Sequence, residues 1–378
     1  MQMKKSFTQS FSHSILQLIL KAGFYRSDKK PNSEVMRKFI IFIILQVLVY
    51  PMAFGQIGGE YTYDFLNLTN SARMAALGGN QIALNDSTDL NISYNNPSLL
   101  SSEMKNQLAI NYVDYFAGVN YGYAAYSFGT PLPGNLAVGI HYINYGKFEE
   151  ALATGEKTGA TFNAAEYAFN IIWSDRYKQF GYGINLKPIL STFESYQSIG
   201  FAADLGLSYY SKNQNTVAAL VARNIGTQIT TYYDGAENES IPFDLQFGIS
   251  QRLQHAPIRL AATLQHLQKW DLAKPEEDNS GTTTVYKEDN FTKKFMRHLV
   301  LGVELLPSPN FTIRAGYNYQ LRQEMKLDEK MSTVGFSWGF GFRVKRFHIN
   351  YGSARYHLAG SSNLISIAIN LNEGLRRN

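Results

Sequence analysis

No cysteine occurs anywhere in the 378 residues, which removes disulfide frameworks, thiolate nucleophiles and Cys-ligated zinc or iron–sulfur centres from the possible chemistries. Beyond the first 55 residues the chain also lacks any apolar run long enough for a spanning helix, and its mean hydropathy is only −0.22. Positive charge is scarce where a polyphosphate partner would need it. Of 35 basic and 30 acidic residues, eight and two fall within residues 1–55, so the net charge of +5 becomes 27 basic against 28 acidic residues in the remainder. No basic stripe longer than Thr292-Lys293-Lys294 survives there, and nucleic acid is not an expected partner. The seven histidines include no pair at the i, i+2 or i, i+4 spacing common in metal sites, so no metal and no cofactor is expected.

What the chain does have is 25 Tyr, 24 Phe and 30 Gly, a mixture suited to alternating strands. It also has an export signal. Met36-Arg37-Lys38 opens a basic region, Phe39 to Val49 is almost unbroken apolar sequence, and Ala53-Phe54-Gly55 supplies small residues at −3 and −1, which predicts a signal peptide over 36–55 cleaved before Gln56. Residues 1–35 read as an upstream extension or as the product of a misassigned start.

From Gln107 onward the chain breaks into segments in which large apolar residues alternate with small or polar ones. Over 331–342, Val334, Phe336, Trp338, Phe340 and Phe342 share one face and Thr333, Gly335, Ser337, Gly339 and Gly341 the other. The same split sets Phe201, Leu205, Leu207 and Tyr209 against Ala202, Asp204 and Ser208, and Phe311, Ile313, Tyr317 and Tyr319 against Arg314, Gly316 and Gln320. Strands are expected to begin near residues 107, 121, 135, 164, 179, 200, 216, 242, 257, 296, 310, 331, 346 and 360. Every second connection is short: Thr130 to Asn135, Ser174 to Gln179, Ser211 to Asn215, Arg252 to Pro257, Pro307 to Asn310 and Lys345-Arg346. Those between are mostly long: Gly146 to Asn163, Pro188 to Ile199, Gly226 to Ile241, Gln268 to Phe295 and Leu321 to Lys330. Short periplasmic turns, long outer loops and an even strand count predict an all-β fold over 107–372, a 14-stranded antiparallel transmembrane β-barrel in a bacterial outer membrane. Residues 373–378 form a charged C-terminal tail.

Residues 56–106 do not alternate. Ser71 to Gly79 reads as a short helix with Ser71 as N-cap and Gly78 as its stop. About eight strands already enclose as much space as side chains from the wall can fill, so fourteen call for a hatch or plug, and this segment supplies it. The run Tyr63 to Gly79 (YDFLNLTNSARMAALGG) and the pair Asn96-Pro97 make the chain resemble the PorV/PorQ branch of FadL-type barrels. YVDYFAGVNYGYAAY (Tyr112 to Tyr126), INYGKF (Ile143 to Phe148), NIG (Asn224 to Gly226) and LQKWDL (Leu267 to Leu272) are similar to its PorQ-type members, in the right order across the mature chain. The resemblance implies a component of the Bacteroidota type IX secretion system that anchors a PorZ-like surface protein. It further implies PorU and PorV-like partners in the attachment complex that joins secreted cargo to cell-surface lipopolysaccharide, with outer-membrane lipid around the barrel. The tail Glu373 to Asn378 departs from barrels that end on an aromatic residue.

Candidate chemistry is thin. Gly335-Phe336-Ser337-Trp338-Gly339 matches a nucleophile elbow, but strand rather than helix pattern follows it, so no catalytic residue is assigned and the chain is not expected to be an enzyme. His141 reads as a lumen-facing wall residue. Glu276-Glu277-Asp278-Asn279 lacks the oxygen spacing and central Gly of a calcium loop, and reads as a solvated charge run. Asp86 and Asp89 either satisfy loop backbone groups or contact a ligand. On the outer loops, Tyr232, Tyr233, Lys269, Trp270 and Lys293 are the partner-contact candidates, with Trp270 equally suited to the lipid headgroup girdle. Two functions remain: the anchor that the resemblance implies, and a FadL-like channel for uptake of hydrophobic small molecules. The inward faces, mainly Gly, Ala, Ser, Asn and Gln, disfavour the apolar cavity that the channel needs.

Overall fold

The computed structural model describes residues 61–115, 118–131, 133–152, 154–273, 276–277, 284–285, 289–324, 333–357 and 360–372, all within one compact unit, Gly59–Asn378. The signal peptide, the upstream extension and the charged tail lie outside the described residues.

Alternating sequence gives a closed antiparallel barrel of fourteen strands. They are β1 (Gln107–Asp114), β2 (Asn120–Phe128), β3 (Asn135–Ala151), β4 (Lys157–Tyr177), β5 (Phe180–Phe193), β6 (Tyr196–Tyr210) and β7 (Thr216–Thr230), then β8 (Asp244–Arg252), β9 (Ile258–Leu264), β10 (Leu299–Ser308), β11 (Phe311–Asn318), β12 (Phe336–Val344), β13 (Phe347–His357) and β14 (Gly360–Asn370). Each pairs with its neighbours in sequence, and β1 closes on β14 from Gln107↔Asn370 to Asp114↔Asn363. Closure leaves no edge, so each strand's backbone groups find partners on both sides without water. Outside runs an aliphatic band that includes Ile110, Leu205, Leu207, Leu220, Leu301 and Ile367, all exposed, and at the short-turn end an aromatic belt of Phe128, Tyr177, Phe180, Tyr209, Phe342 and Phe347. Such a surface is stable facing lipid, with ring edges at the headgroup level.

The strand count and the order of turns agree with the sequence reading; several edges do not. Two expected outer loops are strand. β3 and β4 stay paired out to Ala151↔Lys157 through two register shifts, and β5 and β6 out to Phe193↔Tyr196, where Glu194 turns the chain at φ 55°. At 17 and 21 residues, β3 and β4 exceed the 9–11 that cross a bilayer, so the sheet projects past the membrane at the long-loop end. Pro188 does not end β5: it pairs with Phe201 on the β6 side, while its missing N–H falls in a gap in the β4 ladder between Ala168↔Ile189 and Ile171↔Leu186. Tyr319 and Gln320 leave β11 for a short helix, Tyr319–Glu324, because the Asn318 side chain accepts the Leu321 N–H (3.1 Å). β12 begins only at Phe336. Gly335 before it is left-handed (φ 86°), and Val334, expected on the lipid face, is fully buried.

Inside the wall sits the hatch. Helix α1 (Ala72–Ala76) packs against β11 to β14, and a helical turn at Pro97–Leu99 against β4 to β6, so the segment crosses the lumen between opposite walls. Ser71 caps α1 by accepting the Met74 N–H, and the Gly79 and Gly78 N–H groups return to the Met74 and Ala75 carbonyls, closing the helix in a Schellman motif. The small residues of the inner wall are where the hatch comes closest. At Gly316 an added Cβ would lie 2.1 Å from the Gly78 nitrogen, and at Gly206 2.2 Å from Asn96 Oδ1. Between these contacts Met74, Leu77, Ile82, Leu90 and Tyr94 are buried with wall residues in one apolar cluster, each large side chain contributing roughly 1.5–3 kcal/mol.

Gly316→Ala is therefore expected to push the hatch off β11 and destabilise the folded barrel by on the order of 1–3 kcal/mol. The temperature at which the folded band converts to the unfolded one on SDS gels measures this; an unchanged transition would contradict so tight a seat.

Candidate functional site

Two features have functional geometry: the hatch–wall seal inside the barrel and the loop platform at one end. The seal centres on charge that the wall brings into register. Glu304 of β10 stands directly across from Arg259 of β9 and Arg314 of β11, all three on the inward face. Into this ladder α1 delivers Arg73, 2% exposed, whose Nε and Nη2 donate to the two Glu304 carboxylate oxygens at 2.9 Å each. Arg259 Nη1 donates to Glu304 Oε2 (2.5 Å) and Arg314 Nε to Oε1 (2.8 Å). Arg73 Nη1 completes the set by pairing with Asp86 (2.7 Å) and Asp89 (3.2 Å). Three guanidiniums thus meet three carboxylates, as burial requires, since each ion would otherwise cost several kcal/mol to desolvate.

Both hatch aspartates also serve their own loop. Asp86 Oδ1 accepts the Thr88 N–H and hydroxyl, and Asp89 Oδ1 the Asn91 N–H. Burial alone would push the Asp86 carboxyl up, but the Arg73 and Arg259 guanidiniums outweigh it and hold it well below the usual carboxylate range. Burial also opposes the charged Arg73, and Glu304, Asp86 and Asp89 more than reverse that, holding its guanidinium firmly protonated.

A second polar knot explains the Asn224-Ile225-Gly226 motif. Asn224 is left-handed (φ 55°) at a register shift between β6 and β7. Its N–H donates to Asp204 (2.8 Å), and its side-chain oxygen accepts from Lys187 (2.9 Å). Lys187 and Asp204 pair at 2.6 Å with no exposure at all. Beside them His141 is fully buried, facing the hatch: its Nδ1 shares a 2.9 Å hydrogen bond with the Tyr94 hydroxyl, and its ring lies against Phe65, Tyr121 and Tyr123. Asn96, of the motif Asn96-Pro97, donates to the Ile82 carbonyl and Ser208 hydroxyl while accepting from Ser98. The Ser337 hydroxyl, in the middle of the apparent nucleophile elbow, is buried and accepts the Gly78 N–H (3.0 Å), so it is another hatch contact.

At the long-loop end, a helix at Phe291–Arg297 carries Lys293, which is exposed and 4.0 Å from Asp289. Lys294 pairs with Asp271 at 2.7 Å, tying that helix to the segment holding Lys269 and Trp270. Trp270 packs on Phe291 and stacks on His298, so its ring contacts belong to the loop. Phe291 is 72% exposed beside it. Of the other two candidates, Tyr233 is exposed and packs on Tyr196, whereas Tyr232 folds inward, donating to the Ser191 hydroxyl, with burial pushing its own phenol up to about 12. Glu276–Glu277 pair with Thr284–Val285 in a short ribbon, and Asp278 and Asn279 lie outside the described residues. Among the described residues no three His, Asp or Glu side chains converge on a possible metal position.

Of the charged seal, the sequence reading placed Arg314 on an inward face and Asp86 and Asp89 in the hatch segment; Arg259 and Glu304 it did not single out, although both sit at inward positions of alternating strands. What united them was the register between β9 and β10, which a long connection separates.

No family model and no curated protein matches the sequence. Among solved structures, the chain is similar to the TodX deltaS2S3 mutant monoaromatic hydrocarbon channel, at 14% identity over 80% of this chain and 99% of that one, with a TM-score of 0.50. Its fold is FadL-like. The CymD monoaromatic hydrocarbon channel (12% identity, 82% and 97% covered, TM-score 0.46) and a Pseudomonas aeruginosa FadL homologue (12%, 79% and 97%, 0.41) superpose less well. The likeness to the first of these is one of fold, and the identity is too low to carry more.

Asp86→Asn is expected to destabilise the hatch at pH 7 by roughly 1–3 kcal/mol. A carboxyl depressed on folding contributes fully above its unfolded value, near about 4, and progressively less as pH falls below it. The stability gap between the natural protein and this variant should hold from pH 7 to about 5 and narrow below 4; a gap still constant at pH 3 would place the contribution elsewhere.

Proposed function

We propose that this chain is a non-enzymatic outer-membrane anchor of the type IX secretion system, exported by the signal peptide at 36–55. Its short turns face the periplasm and its extended strands and loops face outward, where they hold a PorZ-like surface protein. PorU and PorV-like components complete the attachment complex that joins cargo to lipopolysaccharide. The observation that carries this reading over transport is the hatch, bound across the lumen by the Arg73–Glu304 seal and close-packed apolar contacts with the wall. Of the motifs that carry the resemblance, Tyr63 to Gly79 and Asn96-Pro97 lie in the hatch and Asn224-Ile225-Gly226 in the wall beside it, whereas Leu267 to Leu272 lies at the outer loops. The exposed aromatics Trp270, Phe291 and Tyr233 offer anchor-type contacts that a buried interface would cover.

A second reading, a FadL-like channel for hydrophobic small molecules, is favoured by the likeness to the TodX hydrocarbon channel. It requires the hatch or the wall to open.

Tagged protein extracted from the outer membrane in mild detergent and analysed by crosslinking mass spectrometry separates the two. The anchor reading expects crosslinks from Lys269 or Lys293 to a large surface protein, reduced at least severalfold in a Trp270→Ala, Tyr233→Ala double variant that still folds. Recovery of the barrel alone with hydrocarbon or lipid inside it would overturn the anchor and support the channel.

A further inference from the structure

At the short-turn end, opposite the loops, the barrel mouth encloses a cavity of about 670 Å³, with a second of about 250 Å³ that shares Asn85, Gln214, Arg252 and Arg259 with it. These volumes suit a small molecule. The hatch loop forms part of the lining: Asn85 donates to the Gln214 carbonyl of the β6–β7 turn and its own carbonyl accepts from Arg259.

The charge lining the hollow does not cancel. Arg73, Arg259 and Arg314 are matched by Glu304, Asp86 and Asp89 in the seal. Besides Arg343, which has its own partner, that leaves Arg176 and Arg252 on the larger cavity's lining against Glu103. The surplus among these three is one positive charge.

Its arrangement is more telling than its size. Arg252 and Arg259 are direct cross-strand partners, and both line both cavities. Like charges directly opposed on a sheet repel. Arg259 is committed to Glu304, whereas the Arg252 guanidinium is exposed and has no carboxylate partner among the described residues. Asn213, Gln214 and Asn215 add amide groups beside this pair. A fork-shaped donor next to another guanidinium and several amides is the arrangement that recognises an oxyanion bidentately.

We propose that this vestibule binds a small soluble dianion through its phosphate or carboxylate oxygens, with Arg252 as the free fork and Arg259 and the β6–β7 turn amides beside it. Occupancy joins the hatch loop to β8, β9 and that turn, so the ligand stabilises the closed hatch from the periplasmic side. The site is independent of whatever the outer loops hold.

Isothermal titration of the purified full chain in detergent at low salt tests this with pyrophosphate and with citrate as the probes, one for each oxyanion type. At least one is expected to bind saturably, one per chain, and to raise the unfolding temperature. Arg252→Gln should weaken that binding tenfold or more and abolish the thermal shift, while Lys178→Gln, a lost charge at the same end outside the cavity lining, should change affinity less than twofold. Arg252 makes no side-chain bond to the hatch, and an unchanged folded band on SDS gels confirms that its variant is intact. Binding of neither anion, or equal weakening by the two substitutions, overturns the proposal.

Discussion

Backbone satisfaction in lipid is the constraint from which the rest of this structure follows. Strands that cross a bilayer must pair on both sides, so the sheet closes, and at fourteen strands closure creates a lumen wider than the wall's own side chains can fill. The hatch answers that geometry. Once it is inside, its helix ends and loop amides are removed from bulk water and must be bonded to something. Ser366 accepting the Ala72 N–H, Ser337 the Gly78 N–H and Asn96 bridging Ile82 to Ser208 are the result. The small polar residues of the inner face make room for the hatch and bond to it.

The charged seal sits where this accounting is most demanding. An Arg–Glu–Arg ladder on three adjacent strands would carry an excess positive charge by itself, and Arg73 would deepen it were Asp86 and Asp89 not supplied by the same hatch. Wall and hatch are electrostatically incomplete apart and balanced together. Removing one partner from such a set leaves an uncompensated charge, which costs more than the set contributes when whole. That favours one seating of the hatch over shifted alternatives. At the mouth on the short-turn side the balance ends and positive charge remains.

The two ends of the barrel differ for physical reasons. At one, strands turn within a few residues and an aromatic belt marks the lipid boundary; at the other, β3 to β7 run on beyond bilayer length and carry loops with exposed rings. A protein that binds outside the membrane needs such a projecting platform, and a plugged interior does not hinder it. A FadL-like fold accommodates either a bound partner or a passing substrate, because fold specifies where side chains go and leaves chemistry to the site.

Much of this was determined by sequence alone. Period-two alternation set fourteen strands, their lipid and lumen faces and the order of short and long connections, because a side chain's face depends only on its parity along a strand. Ser71, Gly78 and Gly79 likewise fixed the hatch helix, since capping is local. Tertiary structure decided what depends on pairing between distant segments. Strands β3 to β6 outrun their apparent ends because partners continue beside them, Pro188 is tolerated because its missing donor falls in a ladder gap, and Val334 turns inward after a left-handed Gly335. Arg73, Arg259, Glu304 and Arg314 are scattered over more than two hundred residues, and only the register of a closed sheet with the hatch inside it brings them to one carboxylate.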